Sequence, residues 1–164
     1  FPYTQGGPLM HVIAAKAICF GEALDPAFAQ YASQVVENSR TLAQDLSEAG
    51  FRLVSGGTDN HLSLIDLTPL GITGQEAETA LEKVGIVVNK NAIPYDAKPP
   101  RVASGLRLGT PAITSRGFDQ KAVRRVARMI IDVLTAMGDE KVQRRVAEEV
   151  RDLAPRYPVP GLDL

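Results

Sequence analysis

Arg107 is the residue around which chemistry could be built. It stands in Ser104-Gly105-Leu106-Arg107-Leu108-Gly109-Thr110-Pro111, which reads as a short buried strand ending in a turn. Side chains alternate along a strand, so Leu106 and Leu108 point to one face and Arg107 to the other. A cation flanked by two leucines needs a partner, because burying an unpaired charge is costly. Gly105 and Gly109 remove bulk on both sides, so a ligand or another backbone can come close. A planar guanidinium in that setting suits bidentate capture of a carboxylate. Read alone, the octapeptide favours the plainer outcome, an ion pair with an Asp or Glu of the same chain.

Other candidates are weaker. Gly6-Gly7-Pro8 precedes an apolar helix, and exposed amides before a helix N-terminus can hold an anion such as phosphate, although Gly-Gly-Pro also makes a plain turn. His11 falls in the first turn of that helix and is expected to be a partly buried polar residue. Asp59 and His61 lie two apart, but without a Ser or Cys nucleophile they make no hydrolase triad, and a structural turn is the expectation. The single Cys19 excludes an internal disulfide and a multi-cysteine metal site, and fits a reducing compartment.

These residues need elements to carry them. Residues 9–24 are apolar nearly all round, which predicts a helix buried on more than one side. Asp25-Pro26 restarts the helix as N-cap and first helical residue, and Gly50 stops it. Its stripe is Phe28, Tyr31, Val35, Leu42, Leu46 and Ala49, with Phe28 and Tyr31 as core residues. Strands are predicted at 51–55, 60–67 and 86–89, the last being Ile86-Val87-Val88-Asn89. Thr73 with Glu76 forms a capping box for a helix to about Val84. Residues 90–103, holding Pro94, Pro99 and Pro100, read as a loop. Asp119 caps a helix with Val123, Val126, Ala127, Ile130, Val133, Leu134 and Met137 on one face. Lys121, Arg124, Arg125 and Arg128 form its solvated face. A last helix covers about 139–153, and the tail from Pro155 to Leu164 wraps or frays. The order predicts an α/β fold: a two-layer small domain with a mainly antiparallel sheet and helices on one face, preceded by long connecting helices.

Composition sets bounds. The chain has 164 residues and a net charge of -1, so no general attraction to nucleic acid or anionic membrane is implied. No uninterrupted apolar run is long enough to cross a bilayer, and no secretory signal opens the chain. It begins at Phe1 in what reads as a loop, so a segment of a longer or cleaved protein is expected.

Several segments together carry a family likeness. They are Phe1-Pro2 with Gln5-Gly6-Gly7-Pro8-Leu9-Met10-His11, and Ser55-Gly56-Gly57-Thr58-Asp59-Asn60-His61-Leu62. Val88-Asn89-Lys90-Asn91 with Ile93-Pro94 and the stretch from Ser104 to Pro111 complete them. In this order they resemble the C-terminal part of serine hydroxymethyltransferase, a pyridoxal-phosphate enzyme of the aspartate aminotransferase fold type (fold type I). The resemblance implies that residues 1–24 end a large cofactor-binding domain, 25–50 connect, and 51–164 form a small domain. It implies reversible conversion of serine and tetrahydrofolate to glycine and 5,10-methylenetetrahydrofolate in the cytoplasm, by a homodimer or dimer of dimers.

Residue roles follow from the same resemblance. Arg107 would grip the carboxylate of the amino-acid substrate. Gly6 and Gly7 would reach the cofactor phosphate of the neighbouring subunit. Asn91 would contact the folate pteridine, and Pro99, Pro100 and Arg101 occupy the place of a folate-contacting turn. That turn departs from the family's Ser-Pro-Phe, and Tyr3 stands where the family has Gly. The Schiff-base lysine belongs upstream of Phe1, so no catalytic residue is expected here, and the segment alone is expected to be inactive. Two alternatives remain: a folate-independent β-hydroxy-amino-acid aldolase or transaldolase, and a non-catalytic truncated homologue.

Overall fold

A computed structural model of the protein describes residues 1–162, so the expectation for the last two residues of the tail, Asp163 and Leu164, lies outside the described residues. The chain divides into two compact units, Phe1–Ser33 and Gln34–Leu164.

The first unit holds an opening loop, helix α1 (Met10–Ala23) and the start of α2 (Pro26–Glu48). Asp25 begins α2 as expected, its carboxylate accepting the Ala27 amide at 2.8 Å. No residue of α1 is buried, which corrects the expectation of a helix covered on several sides. His11 is likewise exposed rather than partly buried. An all-round apolar sequence reports that a helix wants cover, not which segment supplies it. Phe28 is 47% exposed and so is not a core residue.

The second unit is a mixed α/β layer. Its strands are β1 (Arg52–Leu53), β2 (Leu62–Asp66), β3 (Asn89–Asn91) and β4 (Gly105–Gly109), in the order β1-β2-β4-β3 with every pairing antiparallel. Helices α3 (Gly74–Lys83), α4 (Pro111–Ser115), α5 (Gln120–Thr135) and α6 (Glu140–Leu153) complete it. The core joins Leu53, Ile65, Leu106 and Leu108 of the sheet to Leu42 and Leu46 of α2, Leu81 of α3, Ile130 and Val133 of α5, and Val146 of α6. Leu106 and Leu108 point into this core while Arg107 between them is exposed, which is the alternation read from the sequence.

Local signals set the helix ends. Thr73 accepts the Glu76 amide while Glu76 reaches back to the Thr73 amide at 2.8 Å. These bonds hold the Glu76 carboxyl below its usual range, the Thr73 amide contributing most. Asp119 caps α5 through the Ala122 amide at 2.8 Å. Met137, expected on the inner face of α5, lies beyond its end and is 37% exposed.

The third strand is displaced from its expected position. Ile86, Val87 and Val88 are outside any strand, and pairing begins at Asn89. Two contacts favour the polar register. Lys90 binds Glu78 of α3 through both its amide and its ammonium, which holds the Glu78 carboxyl below its usual range. The Asn91 carbonyl closes onto Gly105, where an added Cβ would sit 2.7 Å from it. The apolar residues instead line a cleft of about 300 Å³ with Ile113, Phe118 and Met129. Helix α4 was not foreseen. Its first residue, Pro111, suits a helix start.

Buried polar side chains fasten α2 to the segment after β4. Thr110 donates to the Val35 carbonyl at 2.8 Å, and the wholly buried Asn38 donates to Thr114 at 2.9 Å and to the Phe118 carbonyl at 2.8 Å. The chain therefore leaves the Arg107 strand into a fixed turn. Arg116 donates to the Tyr157 and Ala154 carbonyls of the tail at 2.6 and 2.8 Å, and the Tyr157 ring packs tilted against Phe118 with centroids 4.1 Å apart.

Candidate functional site

Strand register decides which side chains share the face that carries Arg107. Directly opposite residues point the same way, and Arg107 lies opposite Leu64 on one side and Asn89 on the other. Asn91, Gly105 and Asp66 form the next row of that face, with Arg52 beyond Asp66. Asn91 is therefore a diagonal neighbour of Arg107, a separation of about 7–8 Å in antiparallel sheets.

Asp66 is the carboxylate that register brings nearest to Arg107, also on a diagonal. It is already committed. One oxygen accepts Arg52 Nη1 at 2.6 Å, and the other accepts the Thr68 amide at 2.9 Å and the Thr68 hydroxyl. Its side chain is 1% exposed. Arg107 has no ion pair or side-chain hydrogen bond among the described residues. The internal ion pair favoured by the octapeptide alone is thus corrected: the pairing is made by Arg52, and an exposed guanidinium remains.

The glycines beside Arg107 serve different ends. A Cβ on Gly105 would meet the Asn91 carbonyl and Ile93 Cγ2 at 2.7 Å, so that space belongs to the chain itself. Gly109 is open, with the nearest atom, the His61 carbonyl, at 3.6 Å. The same carbonyl accepts the Thr110 amide at 3.0 Å, so His61 contributes its backbone while its side chain faces solvent. Asp59 is exposed as well.

Asp96 organises the loop between β3 and β4. Its Oδ2 accepts the amides of Ile93 at 3.2 Å and Ser104 at 2.8 Å. Its Oδ1 accepts the Lys98 amide at 2.9 Å and the Ser104 hydroxyl at 2.6 Å. The Ser104 hydroxyl, with these amides, lowers the Asp96 carboxyl to about 2. Pro99, Pro100 and Arg101 sit exposed in this loop, where the Pro99 carbonyl accepts the amides of Val102 and Ala103. The Val102 and Ala103 carbonyls in turn accept the first amides of α3, at 3.0 and 2.9 Å. Sequence reasoning missed Asp96. The available signal was an acidic side chain in a proline-rich stretch whose amides had no regular partner.

Gly6 and Gly7 lie in the opening loop of the first unit. Both are exposed, and a Cβ on either would meet nothing within 4 Å. No side chain caps α1, and its first turn holds no acidic residue. The cleft near Ile86 contains neither Arg107 nor Asn91, and the one charged residue of its lining, Arg116, gives its Nε and Nη2 to the Tyr157 and Ala154 carbonyls. Among the described residues no cluster of His, Cys, Asp or Glu could hold a metal, and no helix is long and apolar enough to cross a membrane.

The model of the family described as serine hydroxymethyltransferase matches residues 1–130. The chain belongs to the serine hydroxymethyltransferase family. Relatives bearing that name agree along almost all of it. The protein from Halorhodospira halophila is 55% identical over 161 residues, covering 98% of this chain and 39% of its own length. Those from Methanospirillum hungatei and Leptospira biflexa are 54% and 52% identical, each covering 97% of this chain and 38% of the relative. The chain thus spans about two fifths of the length of these curated relatives. In this member of the family, Arg107, Asn89 and Asn91 share one sheet face, and Gly6 and Gly7 belong to the other unit.

Proposed function

We propose that this chain is the C-terminal portion of a pyridoxal-phosphate enzyme of fold type I that interconverts serine and tetrahydrofolate with glycine and 5,10-methylenetetrahydrofolate. The observation that carries the reading is an exposed Arg107 whose diagonal carboxylate neighbour on the sheet, Asp66, is engaged by Arg52 and Thr68. The guanidinium keeps its donor fork for an incoming carboxylate, and Leu106 and Leu108, locked in the core, fix the strand beneath it. Holding the amino acid by its carboxylate orients the bonds at its Cα.

Pyridoxal phosphate, when bound, supplies an electron sink for cleavage at Cα. The residues present fit its phosphate: Gly6 and Gly7 offer backbone donors in open space before an uncapped helix. In the family likeness that loop serves the neighbouring subunit, so this reading carries at least a homodimer. Asn91 offers an amide with both donor and acceptor to the pteridine, and the Pro99-Pro100-Arg101 turn lies in the loop that follows. A cytoplasmic location is part of the same proposal.

Charge-assisted hydrogen bonds contribute about 1.5–3 kcal/mol each, so loss of a bidentate pair should lower kcat/KM for serine roughly 10²–10⁴-fold. The test is Arg107→Ala in the complete enzyme, assayed against serine. A near-normal serine KM and turnover would remove the assignment. Measuring serine cleavage with and without tetrahydrofolate separates the transferase from a folate-independent aldolase.

A further inference from the structure

We propose that Asp96 is a positioning residue that sets the orientation of the Asn91 side chain through the peptide group joining Ala92 to Ile93. The inference rests on the reading of Asn91 as a pteridine contact and adds to it the group that holds Asn91 in place. The Asn91 Nδ2 donates to the Ala92 carbonyl at 2.7 Å. The Ile93 amide, on the other side of that same peptide plane, donates to Asp96 Oδ2 at 3.2 Å. A planar peptide turns as one body, so anchoring its N–H fixes the direction of its C=O. Fixing that carbonyl holds the Asn91 amide, with Oδ1 and the second Nδ2 hydrogen left for a ligand.

Asp96 is equipped for this task. Its remaining contacts all go to its own loop and to Ser104, the residue before β4. It therefore ties the peptide beside Asn91 to Ser104 at the far end of the same loop. The neighbouring Tyr95 has φ 58, a left-handed conformation that is costly for a bulky residue, and the loop is held there all the same. Ile93 is pressed against Gly105, which leaves the 92–93 peptide little room to swing.

The experiment uses the full-length holoenzyme and reads tetrahydrofolate binding by calorimetry together with two activities. These are the folate-dependent reaction of serine and the folate-free cleavage of a β-hydroxy amino acid. Asp96→Asn keeps the shape but replaces an acceptor oxygen with an NH2 group. The expected result is roughly tenfold weaker tetrahydrofolate binding and a matching rise in its KM, with folate-free cleavage within twofold of the native rate. Asn91→Ala should weaken binding at least as much, and Asp96→Asn added to Asn91→Ala should weaken it no further. Ser104→Ala, which leaves the Ile93 amide bonded to Asp96, should preserve the affinity.

Unchanged binding in Asp96→Asn beside a loss in Asn91→Ala overturns the inference and leaves the site reading standing. Unchanged binding in Asn91→Ala overturns the reading of Asn91 and the inference with it. Additive losses in the double variant, a loss in Ser104→Ala equal to that of Asp96→Asn, or an equal fall in both activities each overturn the inference, because Asp96 would then act on the loop as a whole.

Discussion

Gly105 and Gly109 bracket Arg107 on the same strand face, yet alanine should have opposite effects at the two positions. Neither glycine has the left-handed backbone that would strain a side chain, so the difference lies in space alone. At Gly105 a Cβ would stand 2.7 Å from the Asn91 carbonyl of β3, 2.7 Å from Ile93 Cγ2 and 3.0 Å from the Ile65 carbonyl of β2. Comfortable contacts begin near ~3.5 Å, so each of these atoms must retreat by about half an ångström or more. The two carbonyls belong to strands on opposite sides of β4, so a shift away from one closes on the other. Overpacking of this kind costs about 1–3 kcal/mol, against which the lower chain entropy of alanine returns about 0.4–1 kcal/mol. Taken at the middle of both ranges, the net loss of about 1.3 kcal/mol should lower Tm by roughly 4–6 °C in a unit of this size. At Gly109 the nearest atom would be 3.6 Å away. Alanine there should change stability by less than about 0.5 kcal/mol or raise it slightly. Thermal unfolding of the two variants by circular dichroism, with urea titrations beside it, is the assay. A Gly105→Ala protein that melts at or above the native temperature would refute the close-approach argument, as would equal losses at both sites.

Further outcomes follow from other contacts. Asn38→Ala strips the Phe118 carbonyl of a buried donor and should cost about 1–3 kcal/mol, seen as a lower urea midpoint with an unchanged slope. The Asp96 carboxyl should titrate near 2 by carbon NMR, and a midpoint at the ordinary 3.8 would show that its hydrogen bonds do not persist in solution. Because the folded value lies below the unfolded one, Asp96 adds stability above about pH 4, and that stability is lost as pH falls toward about 2.

Signals confined to a few neighbouring residues were legible. The Thr73–Glu76 box, the Asp25 and Asp119 caps and the alternation around Arg107 each depend on residues within one turn or one pleat. What required a distant partner was not. The run Ile86-Val87-Val88 has the composition of a strand, but pairing went to Asn89–Asn91, where Lys90 meets Glu78 and Asn91 meets Gly105. The apolar pattern of α1 was plain, while its lack of cover in this segment was not. For the site, the lone guanidinium could be seen, but not that the rival carboxylate sits at position 66 and is held by Arg52. That depends on a register linking residues 14 apart in sequence. Asp96 stayed hidden because its acceptors' work is with irregular backbone, which has no periodicity to announce it.

The Arg52–Asp66 pair has a consequence reaching past stability. It works as a chaperone for availability: one arginine occupies the acid so that a second, across the sheet, stays at liberty. Arg52→Ala would leave a nearly sealed acid without its counter-ion, and the cation a diagonal step away becomes its natural consort. On the function proposed above, the substrate's carboxylate should then compete with an internal mimic of itself. KM for serine should rise in a variant that never touches serine, Arg52→Lys should restore it in part, and an unchanged KM would show that the two arginines are independent.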